Sequence, residues 1–124
     1  MSHRGEHSAP QRLKGGWLEA RDVDSYTLAR QWPPRFDVAA SARFPSVRRG
    51  RLARQIRQDL WRALKGLRGF SPVIQIAAAE TGLTVTAGGR LPAKVPGVEA
   101  SIHDLLQDPA RRARWITWAQ ERDA

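Results

Sequence analysis

No cysteine occurs anywhere in this 124-residue chain. That excludes a disulfide, a thiolate zinc site and a cysteine nucleophile, and it leaves packing and hydrogen bonds to hold the fold. Long apolar runs are missing too. The longest, residues 73–79, is interrupted by Gln75 and falls far short of the ~20 residues a membrane-spanning helix needs. The opening MSHRGEHSAPQRLKGG carries charges and glycines where a secretory signal needs a continuous apolar block. The expected setting is therefore cytoplasmic, with no membrane contact. Internal repeats and low-complexity tracts are absent as well, which sets solenoids and collagen-like arrays aside.

Acidic groups are scarce: twelve carboxylates face twenty-one basic groups, a formal +9 at pH 7. Lysine is scarce in turn, since eighteen of the basic residues are arginine. Base composition of the genome explains the arginine total but not its placement. Residues 43–68 hold nine basic groups and one acid, Asp59, so +8 of the +9 sits in one short segment. An anionic partner is the first thing that segment suggests.

Residues 1–16 are polar, without apolar periodicity, and read as a flexible N-terminal arm. Residues 17–124 read as a single small α+β domain. GWLEARDV reads as extended or irregular. Asp24 or Ser25 suits the cap of a short helix through Tyr26, Leu28 and Gln31, which Pro33 and Pro34 would end, and a linker follows to about residue 44.

Residues 46–67 form the most secure element, a helix opened by Pro45-Ser46 and ended by Gly66 and Gly69. At 100° per residue, Leu52, Ala53, Ile56, Leu60, Ala63, Leu64 and Leu67 share about 120° of arc and face a core. Arg51, Arg54, Arg57, Arg62, Lys65 and Arg68 occupy a second arc of about 140°, with Trp61 among them. The segment 73–87 alternates in two runs around Ala79-Glu80-Thr81-Gly82 and predicts an antiparallel hairpin, with Pro72 at a strand start or an edge. RLPAKVPGVE reads as a loop. Two further helices follow, near 98–106 and from Asp108, its cap, to about residue 121. The expected architecture is a long amphipathic basic helix packed on a β-hairpin, with C-terminal helices completing a small core. Two strands alone are marginal, so helix cover, a third strand from the N-terminal region or a partner chain must support them.

The basic arc is the leading candidate site. Arginine offers forked donors to phosphate oxygens, and an exposed tryptophan stacks on a base. The expected function is a small non-catalytic module that binds nucleic acid, DNA or RNA, by phosphate contacts from Arg51, Arg54, Arg57, Arg62, Lys65 and Arg68, with Trp61 beside them. Such contacts position a protein without reading sequence. The alternative is a protein-interaction or assembly subunit whose basic helix and tryptophans dock on an acidic partner protein. A merely solvated face, with Trp61 covered by the N-terminal segment or the last helix, is the third reading. A membrane surface fits poorly, because interfacial helices carry bulky aromatics on the apolar side.

Trp17, Trp32, Trp115 and Trp118 suit core or interface positions, and Trp118 falls near Arg111 and Arg114 on its own helix; a homodimer across some of these tryptophans stays open. His3 and His7 lack a third ligand, so no metal or other cofactor is expected. His103 and Asp104 read as a surface pair. Gly88-Gly89-Arg90 lacks the Gly-Lys-Ser/Thr ending of a phosphate loop, and no serine has an evident base and orienting acid. The segment shows no leucine-zipper continuation, the hairpin no RNA-recognition aromatic motif, and no helix-turn-helix spacing is present.

Overall fold

A computed structural model of the chain describes residues 9–120. His3 and His7, the first half of the expected arm, and residue 121 at the expected end of the C-terminal helix lie outside the described residues. Nine elements of regular helix or strand follow in order: β1 (Gln11–Arg12), β2 (Leu18–Arg21), β3 (Ser25–Ala29), β4 (Val38–Phe44), α1 (Arg49–Leu64), β5 (Ser71–Ala78), β6 (Leu83–Arg90), α2 (Val98–Gln107) and α3 (Pro109–Ala119). A 3-10 turn at Lys14–Gly16 joins β1 to β2, so the described end of the arm is paired with the domain.

All six strands form one antiparallel sheet in the order β1-β2-β3-β5-β6-β4. The fold is α+β, with helix packed on sheet. The hairpin seen in the alternating pattern is its centre: Ile74, Ile76 and Ala78 of β5 stand opposite Ala87, Val85 and Leu83 of β6. Because β4 and β5 both run antiparallel to β6, they are parallel to each other. The chain from β4 through α1 to β5 is thus a crossover that skips one strand.

Two segments depart from expectation. Residues 25–29 form β3, an interior strand, where a short helix was expected, and residues 38–44 form β4, where a linker was expected. In β3 tertiary pairing overrides the capping signal: Tyr26, Thr27, Leu28 and Ala29 are all buried between β2 and β5. Pro72 sits second in interior β5, at its start and away from any edge.

Helix α1 is also shorter than its apolar pattern suggests. Residues 45–48 stay non-helical, and the Arg48 N–H donates to the carbonyl of Ala119, tying the helix entrance to the end of α3. At the exit the chain turns at Gly69, whose φ of 77° is the left-handed region that glycine enters at no steric cost. Leu52, Ala53, Ile56, Leu60 and Leu64 are buried as their spacing predicts, whereas Ala63 is exposed and Leu67 half-buried.

One core cluster joins these residues to Tyr26, Leu28, Ile74, Ile76, Val85 and Ala87 of the sheet, and to Ile102, Leu106 and Trp115 of the last two helices. Pairing register puts a polar row on the sheet's opposite face, Thr27, Gln75, Thr86 and Ser41 on four adjacent strands. Within it Ser41 and Thr86 share a hydrogen bond of 2.9 Å. Gly88 and Gly89 belong to β6: a Cβ on Gly88 would lie 2.0 Å from the Val38 carbonyl oxygen, and one on Gly89 2.0 Å from that of Ser71. At the β4 edge, the Glu99 carboxylate of α2 accepts the Ala39 N–H at 3.0 Å. Asp108 caps α3 by accepting the Arg111 N–H at 2.8 Å, as the Asp-Pro pair predicts. No helix among the described residues is long and apolar enough to cross a membrane.

Candidate nucleic-acid interface

The core stripe of α1 fixes the opposite arc outward, and the acids of the region are turned away from that arc. Asp59, alone among the basic groups of residues 43–68, is buried between α1 and α3. Its Oδ2 accepts the Trp115 indole N–H at 2.7 Å and a second hydrogen bond from the Arg114 guanidinium, while its Oδ1 lies 3.7 Å from Arg62. Glu19 of β2 is likewise buried. It accepts the Tyr26 hydroxyl at 2.5 Å and lies 3.6 Å from Arg54 and 3.7 Å from Arg21. Burial first, and then the bond and charge of Glu19, push the Tyr26 hydroxyl far above the ordinary range of a phenol.

The seven residues of the arc thus divide. Arg54 and Arg62 have buried carboxylate neighbours, but their side chains stay 47% and 74% exposed, which leaves donors for an outside anion. Arg57 stacks over the Trp17 ring at 4.8 Å. Burial, and behind it the like charge of Arg54, lowers its pKa from the ordinary guanidinium value, and it remains a cation. Arg51, Lys65 and Arg68 are exposed and have no ion pair among the described residues. Trp61 stays 40% exposed and borders a hollow of about 220 Å³ with Trp17, Arg30, Arg57 and Gln58. The N-terminal segment approaches Trp61 without covering it.

Several neighbours were not legible from the helix alone. Arg30 follows β3 and also lies over the Trp17 ring, 5.4 Å from its centroid. Trp118 is 63% exposed and so is not a core residue. It borders a hollow of about 240 Å³ with Arg51, Arg54 and Gln55 of α1. At the entrance of α1, Arg21, Arg48, Arg49, Arg51 and Arg54 surround a wider hollow of about 490 Å³. Gly50 permits this: a Cβ there would meet the Arg21 guanidinium at 3.1 Å and Tyr26 at 3.5 Å. The available signal was the run Arg48-Arg49 at the start of the helix; Arg21 and Arg30 arrive only through strand pairing.

Other arginines serve the fold. Arg112 lies 4.0 Å over the Phe44 ring and donates to the carbonyls of Leu106 and Arg43 at 3.0 and 2.6 Å. His103 and Asp104 form an exposed pair at 3.6 Å. Comparison of the chain with protein-family models, with curated proteins and with solved structures gave no match.

Proposed function

We propose that the chain is a small non-catalytic module that binds nucleic acid along the outward face of α1. Phosphates are contacted by Arg51, Arg54, Arg57, Arg62, Lys65 and Arg68, with Trp61 packed or stacked beside them. The observation that carries this reading is the burial of both nearby acids: Asp59 is held by Trp115 and Glu19 by Tyr26, so neither carboxylate stands on the outward face, although Asp59 lies 3.7 Å from Arg62 and Glu19 3.6 Å from Arg54. An ordinary solvated helix face mixes signs and gains from i,i+4 pairs. Here the exposed charge is of one sign and carries an exposed indole.

The test is binding of labelled DNA and RNA oligonucleotides over a salt series. Four to six phosphate contacts give a log–log slope of about −4 to −5 on duplex DNA and a somewhat shallower one on single strands. Replacing Arg54, Arg57 and Lys65 by Glu is expected to abolish binding while circular dichroism stays native. Absence of affinity for every nucleic acid at low salt overturns the proposal and favours docking on an acidic partner protein. Pull-down with and without nuclease distinguishes that outcome from nucleic-acid bridging.

A further inference from the structure

The exposed aromatics of the interface narrow the kind of nucleic acid. Trp61 and Trp118 are the two exposed tryptophans among the described residues. They belong to different helices, yet each borders a hollow with two guanidiniums and a glutamine of α1, to which the Trp61 hollow adds the ring of buried Trp17. Around Trp61 these are Arg30, Arg57 and Gln58; around Trp118 they are Arg51, Arg54 and Gln55. Each hollow, at about 220 and 240 Å³, is open to solvent on the charged face of the protein.

Resting on the nucleic-acid reading above, we infer that these hollows are two stacking seats for the unpaired bases of a single strand. In a duplex both faces of every base are covered by neighbouring pairs, and an indole on a helix surface meets only edges and sugars. An unpaired base has a free π-face, and stacking on an aromatic side chain is tolerant of base identity. The flanking guanidiniums then hold the phosphates on either side of the seated base. The glutamine amide, a donor and an acceptor in one group, reaches a base edge. From Arg54 to Trp61 the helix advances about two turns, or roughly 10 Å. The seats therefore take bases that are not adjacent, and Arg62 and Lys65 lie beyond the Trp61 seat along α1, in line for the phosphates that follow it.

The alternative for an exposed indole between arginines is intramolecular cation–π packing. Arg57 and Arg30 do lie near a ring in this region, but the ring is that of Trp17, which is buried. The outer indoles have no such stacked cation among the described residues.

The experiment compares three probes of the same length, roughly ten nucleotides, within the site sizes usual for such proteins: single-stranded DNA, the corresponding duplex, and an abasic strand with the same phosphates. Single-stranded DNA is expected to bind at least several-fold more tightly than the other two at equal salt. Trp61→Ala and Trp118→Ala are each expected to cost about 5-fold or more, as loss of one stacked base implies. Trp→Phe at either site recovers most of it, and the salt slope does not change. Arg51→Gln and Lys65→Gln, by contrast, each flatten the slope by about one. Equal affinity for the abasic strand or the duplex, or full affinity in both alanine variants, overturns the stacking seats and leaves the phosphate reading standing. No binding of any probe overturns both.

Discussion

The indole N–H of Trp115 donates to Oδ2 of Asp59 across 2.7 Å, joining the fully buried ring of α3 to the one acid of the basic segment. A carboxylate whose lone pairs face an indole and two guanidiniums is bound into the α1–α3 contact. Asp59→Ala strands a buried N–H and is expected to cost about 1–3 kcal/mol. Asp59→Asn keeps an accepting oxygen and should cost less. Chemical denaturation reads both; an alanine variant as stable as the parent would show that the link does not hold the helices together.

Tyr26 is the only tyrosine in the chain, so its ionisation can be followed by tyrosinate absorbance without interference from another phenol. Its pKa is raised in the folded state above the unfolded value of about 10. The stability this contributes is fully present below pH 10 and is lost as pH rises through that value toward the folded one. No tyrosinate signal is expected near pH 11 while the protein stays folded. Glu19→Gln removes the adjacent negative charge and should move the onset to lower pH. A tyrosinate transition at pH 10 in the native protein would refute the buried Tyr26–Glu19 pair.

Gly88 and Gly50 predict opposite tolerance to the same change. Alanine at Gly88 sets a Cβ 2.0 Å from the Val38 carbonyl oxygen and 2.8 Å from the Ala39 Cα, which only separation of β4 from β6 relieves. A loss of about 1–3 kcal/mol or more is expected, as for other overpacked sites. Alanine at Gly50 meets the movable end of Arg21 and gains helix propensity of about 0.5–1 kcal/mol. Its net change should stay within about 1 kcal/mol. Paired thermal melts decide the matter.

Arg112 and Arg51 separate structural from surface arginines. Arg112→Ala loses two hydrogen bonds to carbonyls and the contact with Phe44, and its effect should appear in stability with little change in nucleic-acid affinity. Arg51→Ala, exposed and without an ion pair among the described residues, should do the reverse. Equal effects of the two on affinity would argue for a diffuse field instead of a defined face.

The elements read correctly from sequence are those with one wet face and one dry one. Leu52, Ile56, Leu60 and Leu64 mark α1 because water lies on its other side, and the same contrast marks β6 through Thr84 and Thr86. Strand β3 erases the contrast: interior to the sheet, it buries Tyr26, Thr27, Leu28 and Ala29 together, leaving only a false capping signal at Asp24-Ser25. Strand β4 does alternate, with Ala42 and Phe44 buried against exposed Ser41 and Arg43, but small alanines carry little hydrophobic weight. For the site, angular counting placed the α1 cations on one face. It cannot say which helix lies alongside, so the α1 residues Arg51, Arg54 and Gln55 that share a hollow with Trp118 are visible only in the structure.

The two borders of the sheet are protected in different ways. At one border the main-chain donor of Ala39 is already taken by Glu99, and α2 packs along β4. At the other, β1 offers two residues of ladder and no more. One occupied donor beside a packed helix at one border and a two-residue strand at the other shorten the template of open amides, which disfavours growth by strand addition, the ordinary route to fibres, among the described residues.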